Sequence, residues 1–161
     1  MFRKILYPTD FSDSARAALD YVMKLKEAGA EEVILLHVYD ERDIDMHWEI
    51  ESIIHETEPV EQAKHDVLKV ILEKSYGRLK ELEAELAKSH FKTELVVMEG
   101  VPYQKIAQTA DDMGVSLIVM GSHGERGLVG RVLGSTTGRV LLTTNVPVLV
   151  VKDNGKINKG K

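Results

Sequence analysis

Short apolar runs alternate with longer polar stretches along most of the chain. The apolar runs have the length and composition of buried strands, and they cover residues 4–7, 33–38, 93–98, 117–120 and 148–151. Between them, apolar side chains recur every three or four positions, which predicts helices after Ser12 and over residues 59–88, 102–113 and 135–144. Ser12 is expected to cap the first helix, Gly29 to end it, and Pro102 to occupy the first turn of the third.

Strands that alternate with helices predict βαβ units. The expected fold class is therefore α/β, with a parallel sheet covered by helices on both faces. Ligands of such sheets bind beyond the carboxyl ends of the strands, where the strand order reverses. Three loops leave predicted strands at that edge, namely residues 8–10, 38–40 and 121–124. We expect them to form one site.

Two glycine turns follow the fourth predicted strand. The first contains Gly121, Ser122, His123 and Gly124, and the second begins nine residues later with Gly134, Ser135, Thr136 and Thr137. Glycine allows a ligand to approach the backbone closely, and the N–H groups at a helix N-terminus favour phosphate. Hydroxyl groups in the second turn add donors. The stretch therefore predicts a phosphate cradle, and hence a nucleotide, in preference to two structural turns.

Composition narrows the class of protein. With 161 residues and 18.0 kDa, the chain is expected to form one domain over 1–152, followed by a flexible tail over 153–161. The net charge of −5 argues against non-specific binding to nucleic acid. No cysteine and no long apolar window occur, so we expect a cytoplasmic protein without a membrane segment.

One segment, residues 40–58, interrupts the alternation. It carries eight carboxylates against a single arginine, together with isoleucine, methionine and tryptophan residues. A solvated acidic loop has no need of these apolar side chains. We interpret the segment as an acidic insertion whose apolar side packs on the domain or on a partner.

The glycine pattern Gly-x2-Gly-x9-Gly-Ser at 121–135 resembles the nucleotide-binding signature of the universal stress protein family. The runs at 5–12, 33–38 and 146–151 resemble that family's first, second and last strands, so the resemblance spans about residues 2–152. It implies a three-layer fold with a five-stranded parallel sheet of order 3-2-1-4-5. It also implies an adenine nucleotide, ATP or AMP, as the ligand of a regulatory, stress-response protein.

The resemblance also implies which residues bind. Asp10 would lie at the nucleoside end, the backbone of Val38 at the adenine, and the glycine turns at the ribose and phosphates. The expected contacts are Pro8, Thr9, Asp10, Val38, Met120, Gly121, Ser122, His123, Gly124, Gly134, Ser135, Thr136 and Thr137. No catalytic residue and no protein metal ligand is expected, although Mg²⁺ or Mn²⁺ would accompany the phosphates. A homodimer is implied through the last strand, Val148, Leu149, Val150 and Val151.

Several alternatives stay open. An enzyme of the related ATP-using α/β superfamily, an ATPase or an adenylyl transferase, is the second hypothesis, but the chain has no Walker A pattern (GxxxxGK[ST]). Slow or partner-stimulated ATP hydrolysis is compatible with the sequence, and Arg126 and Arg131 are equally suited to contact phosphates or solvent. A third hypothesis is a module that has lost the nucleotide.

Local chemistry gives three further predictions for single residues. Because Ser12 is the better-placed cap, we expect Asp10 to be left for a ligand. We predict that the Thr9 hydroxyl closes the turn, and that His37 is a hydrogen-bonded core histidine instead of a ligand.

Overall fold

The computed structural model describes residues 1–40, 60–123 and 133–152, with the backbone alone described over 60–64. Five strands alternate with four helices in these ranges. The strands are β1 Lys4–Pro8, β2 Glu32–Tyr39, β3 Lys92–Glu99, β4 Leu117–Gly121 and β5 Val148–Val151. The helices are α1 Asp13–Lys24, α2 Val60–Ala87, α3 Pro102–Asp112 and α4 Ser135–Thr143. Most of the 40–58 insertion, residues 124–132 and the tail lie outside the described residues.

All five strands are parallel and form one sheet of order β3-β2-β1-β4-β5. The central strand β1 pairs with β2 on one side and with β4 on the other, so that Ile5 lies beside both Val33 and Leu117. The predicted order 3-2-1-4-5 is confirmed. The strand order reverses between β1 and β4, which makes this the position where a ligand crevice is expected.

Two apolar layers enclose the sheet, because successive residues of a strand point to opposite faces. Ile5 and Tyr7 of β1 pack with α1 and with the C-terminal half of α2, in a layer that also contains Leu19 and Leu79. The intervening residue of the strand, Leu6, packs on the other side, with Ile34, Ile106, Ile118 and Val140. The layers are therefore α1 and α2, the sheet, and α3 with α4, as predicted.

Local signals account for where the helices begin. The hydroxyl of Ser12 accepts a 3.2 Å hydrogen bond from Ala15 N and caps α1, and Pro102 is the first residue of α3. Both predictions are confirmed. Helix α1 ends earlier than expected, at Lys24, and a turn then runs to Gly29, whose φ of 91° suits glycine.

A paired charge joins the two helices on one side of the sheet. Arg16 of α1 donates hydrogen bonds of 2.7 and 2.6 Å to the two carboxylate oxygens of Glu85 on α2. Hydrogen bonding to this guanidinium lowers the pKa of Glu85.

In the part of the chain that the structure describes, no helix combines the length and the apolar character needed to cross a membrane.

Candidate functional site

The carboxyl ends of β1, β2 and β4 lie at the same edge of the sheet, since the three strands are parallel and adjacent. They end at Pro8, Tyr39 and Gly121, so that each strand runs into one of the three loops that the sequence singled out. With neighbouring strands about 4.8 Å apart, β2 and β4 lie about 10 Å apart on either side of β1.

The turn between β1 and α1 is built by its own side chains. Thr9 N donates to Leu36 O at 2.8 Å, and the Thr9 hydroxyl accepts from Phe11 N at 2.9 Å. The predicted role of Thr9 in closing the turn is thus confirmed. Asp10 is exposed, and its Oδ1 accepts a 3.1 Å hydrogen bond from Ser12 N. Asp10 therefore also shapes the turn, and its contact with a ligand stays a prediction.

Phe11, between these two residues, has a φ of 64°. A bulky residue in the left-handed region costs about 1–3 kcal/mol, so surrounding contacts must hold it there. Its ring centroid lies 4.7 Å from that of His37, and the guanidinium carbon of Arg78 lies 4.1 Å from it. His37 Nδ1 is 2.8 Å from Thr9 O, which confirms the predicted hydrogen bond, but the side chain is only half-buried, so the predicted core position is wrong.

Gly121 has a packing role at the end of β4. A Cβ atom here would lie 2.5 Å from the hydroxyl oxygen of Ser14 and 2.7 Å from its backbone carbon. Ser14 is buried in the first turn of α1, and its hydroxyl accepts a 3.4 Å hydrogen bond from His123 N. Ser14 therefore joins the start of α1 to the loop that follows β4. The sequence did not indicate this role, because serine is common in the first turn of a helix.

The two glycine turns are in direct contact. Gly134 N donates to Ser122 O at 2.8 Å, and a Cβ on Gly134 would lie 2.9 Å from the Cα of His123. The buried Thr137 hydroxyl donates to Gly121 O at 3.0 Å, while Ser122 Oγ is 3.0 Å from His123 Nδ1. The Thr137 hydroxyl thus ties α4 to the end of β4, whereas the contact of Ser122 with His123 lies within the first turn. The structure brings residues 121–123 and 134–137 together, whereas Gly124 lies outside the described residues.

The start of α4 is the part of this arrangement most suited to an anion. Gly134 is its N-cap residue, in an extended conformation, and a glycine has no side chain to cap the helix. Ser135 is exposed and Thr136 is half-buried. Backbone N–H groups at the start of such a helix, together with the partial positive charge of its dipole, attract phosphate.

The remaining predicted residues contribute backbone at the strand ends. Met120 is buried in the layer beneath α4, and Pro8 is buried beside Leu36. Val38 packs partly in the same layer as Met120, and its strand β2 is separated from β4 by β1. The Met120 side chain belongs to the core, so that a ligand at this edge would meet its backbone.

Tyr7, on the central strand β1, holds the start of α1 in place. It is fully buried, and its hydroxyl donates a 2.7 Å hydrogen bond to Ala15 O in the first turn of α1. Burial raises the pKa of this phenol to about 12. The neutral hydroxyl therefore fixes the start of α1, and with it Ser12 and Ser14, against the central strand.

A parallel α/β sheet with glycine turns at its switch point defines a class of ligand-binding α/β proteins. Within that class, the model of the universal stress protein family matches residues 1–152. Universal stress protein MJ0577 of Methanocaldococcus jannaschii is 40% identical over 94% of this chain and 96% of its own length. The chain belongs to the universal stress protein family, which confirms the resemblance.

Solved structures agree with this assignment. The structure of MJ0577 gives a TM-score of 0.81 and covers 95% of this chain and 97% of that one, at 40% identity. An Arabidopsis thaliana family member with AMP bound has a TM-score of 0.64 at 18% identity, covering 94% of this chain and 92% of its own. A universal stress protein in complex with cAMP has a TM-score of 0.60 at 20% identity, covering 94% and 97%. At these lower identities, the likeness concerns the fold.

Proposed function

We propose that the protein binds an adenine nucleotide, ATP or AMP, at the carboxyl edge of β1, β2 and β4, and acts as a regulatory protein in a stress response. The observation that carries the proposal is the start of α4, whose N-cap residue Gly134 has no side chain and is docked against the backbone of Ser122 and His123. Family members of the same fold that bind AMP or cAMP support the choice of nucleotide.

Each part of the nucleotide has a group of matching chemistry. The phosphates would meet the N–H groups at the start of α4 and the exposed hydroxyl of Ser135. The adenine would meet the backbone at Val38, and a ribose hydroxyl would donate to the carboxylate of Asp10. Gly121 and Gly134 act indirectly, because they let the two turns pack closely enough to present the helix start.

The proposed activity is binding with at most slow hydrolysis. Rapid phosphoryl transfer needs a positioned water, a base and charge neutralisation at the phosphates. Mg²⁺ or Mn²⁺ would be held by the phosphate oxygens of ATP, since these hard cations prefer oxygen ligands and Mg²⁺ keeps several waters.

A cytoplasmic location is part of the proposal and is supported by the absence of cysteine from the sequence.

We also propose a homodimer through β5. The two edges of the sheet differ, because β3 exposes Lys92, Glu94 and Glu99 whereas β5 has the sequence VLVV. Charged residues protect a sheet edge from pairing, and an apolar edge invites a second strand. On α4, the helix that precedes β5, Leu142 is 89% exposed, which adds apolar surface that a partner would cover.

The test of nucleotide binding starts with the protein as purified. Small molecules released by denaturation are identified by chromatography and mass spectrometry, and the stripped protein is then titrated calorimetrically with ATP and with AMP. We expect adenine nucleotide in the released fraction, or binding with a micromolar Kd, which corresponds to a binding free energy of about −8 kcal/mol. Phosphate release from ATP is followed in parallel, and turnover faster than about one per second would favour the enzyme hypothesis.

Two carboxylate variants sharpen this test. Asp10→Asn keeps an oxygen that can accept from Ser12 N, so the turn is preserved while the charge is lost. We expect its Kd to rise about tenfold, the loss expected for one hydrogen bond to a charged group. Asp13→Asn, at an exposed position in the first turn of α1, is the matched control and should leave the Kd unchanged. Equal effects of the two variants would argue against a specific contact at Asp10.

A further inference from the structure

Phe11, the residue that follows Asp10, is held in place by a contact with helix α2. Phe11, with its φ of 64°, donates from its backbone N–H to Thr9 Oγ1 at 2.9 Å. Its carbonyl oxygen accepts a 3.3 Å hydrogen bond from Arg78 Nη2, so the distant helix α2 contacts the backbone of the turn directly. A left-handed conformation at a non-glycine residue persists only where surrounding contacts enforce it.

The side chain of Phe11 is fixed by the same helix. The guanidinium of Arg78 lies over its ring at 4.1 Å, a cation–π contact, and the ring of His37 lies 4.7 Å away at an interplanar angle of 39°. His37 is in turn bonded to Thr9 O. Arg78 thus contacts both the ring and the carbonyl of Phe11, and a planar guanidinium suits this double contact better than an ammonium group.

We propose that Arg78 is a positioning residue of the nucleotide site, which acts through Phe11 to fix the orientation of Asp10. The inference rests on the proposed function, because it concerns affinity for the same nucleotide. Asp10 Oδ1 accepts from Ser12 N across Phe11, so the conformation of Phe11 determines whether this bond forms. Without Arg78, the turn relaxes from the left-handed conformation and Asp10 no longer faces the nucleoside.

The position of Arg78 supports an indirect role. It lies on α2, and the next residue of that helix, Leu79, is buried in the apolar layer beneath α1. Helix α4, whose start would hold the phosphates, packs on the opposite face of the sheet. The guanidinium is therefore engaged with Phe11 on one side of the sheet, while the phosphates would bind toward the other.

The experiment compares Arg78→Met, Phe11→Leu and the double variant with Arg16→Met. Arg16 is the matched control, because its guanidinium also joins α1 to α2, through Glu85, without contacting Phe11. Two quantities are measured: amide hydrogen exchange of Phe11 and Ser12 by NMR in the nucleotide-free protein, and the Kd for AMP by calorimetry. Far-UV circular dichroism establishes that each variant is folded.

We expect Arg78→Met to accelerate exchange at the Phe11 and Ser12 amides and to raise the Kd for AMP about two- to thirtyfold, the range for residues that act without touching a ligand. Arg16→Met should change neither quantity. Because Arg78 acts through Phe11, the two substitutions should not add. The Kd for AMP of the double variant should therefore be no higher than that of whichever single variant binds AMP less tightly. Arg78→Lys, which keeps a cation near the ring, should recover part of the affinity.

Three results would overturn the role of Arg78. The first is that Arg78→Met leaves both the amide exchange rates and the Kd for AMP unchanged. The second is that Arg78→Met and Arg16→Met change these quantities equally. The third is that the losses of AMP affinity in the double variant are additive, which would mean that Arg78 contacts the nucleotide itself. Failure of the unmodified protein to bind AMP or ATP would instead overturn the proposed function. The exchange rates would then still show whether Arg78 holds the turn.

Discussion

Gly134 lies against His123 so closely that a Cβ on the glycine would be 2.9 Å from the histidine Cα. The hydrogen bond from Gly134 N to Ser122 O fixes the same contact. The second glycine turn therefore lies directly against the first. The glycine motif has a structural role, which is to dock the start of α4 on the end of β4, and this docking places the N–H groups at the start of α4 beside the first glycine turn.

The same reasoning predicts that Gly121→Ala destabilises the fold. The added methyl would lie 2.5 Å from Ser14 Oγ and 2.7 Å from the Ser14 backbone carbon, and backbone cannot rotate away as a flexible side chain can. We expect a loss of about 1–3 kcal/mol in the free energy of unfolding, the usual range for overpacking. Urea unfolding followed by circular dichroism measures it.

Gly77→Ala is the matched control for this substitution. Gly77 lies within α2, and a Cβ there would have no atom within 4 Å. Alanine should stabilise the helix by about 0.5–1 kcal/mol, because glycine loses more backbone entropy on folding. A Gly121→Ala protein as stable as the unmodified one would show that α1 can move away from β4.

Thr137→Val tests the hydroxyl that fastens α4. The Thr137 hydroxyl is buried and donates to Gly121 O, so valine of the same shape leaves this carbonyl without that donor. We expect a loss of about 1–3 kcal/mol in the free energy of unfolding. Thr143→Val removes a hydroxyl from the exposed end of the same helix, where it donates to Arg139 O, and should change stability by less than about 0.5 kcal/mol. Similar losses in both variants would argue against a special role for Thr137.

Tyr7 predicts an alkaline limit to stability. Burial raises its pKa to about 12 from an ordinary value of about 10. The neutral phenol therefore stabilises the folded state fully below pH about 10, and this contribution is lost as the pH rises toward 12. Tyr7→Phe should cost about 1 kcal/mol near neutral pH, through loss of the bond to Ala15 O, and should flatten the decline above pH about 10. Unfolding by urea at a series of pH values measures both effects, and an unchanged alkaline slope would contradict the assignment.

Much of this fold could be predicted from sequence, because its signals are local. Apolar runs and helical spacing located all nine described elements, with ends that differ by at most one residue apart from the end of α1. The capping role of Ser12 and the turn-closing hydroxyl of Thr9 depend on atoms two or three residues away. Such contacts follow from residue type and position.

The contacts that assemble the site were not predictable in this way. Ser14 meets Gly121, and Arg78 meets Phe11, only after the sheet has brought distant segments together. No periodicity identifies Phe11 as left-handed, since the conformation is imposed by tertiary contacts. The packing roles of Gly121 and Gly134 could not be predicted for the same reason. From the sequence, these glycines were expected to let a ligand approach the backbone directly.

The proposed dimer gives the last prediction. Val150 is half-buried on β5 and belongs to neither apolar layer, so a substitution there spares the core while placing charge on the edge of the sheet. If two copies pair through β5, Val150→Lys would bring two ammonium groups into an apolar interface, and we expect a shift from dimer to monomer in sedimentation velocity. Glu94→Lys, at an exposed position on the opposite edge strand β3, is the control and should leave the mass unchanged. Retention of a dimer by the folded Val150→Lys protein would exclude β5 as the essential contact and direct attention to the acidic insertion at 40–58, whose apolar residues offer an alternative interface.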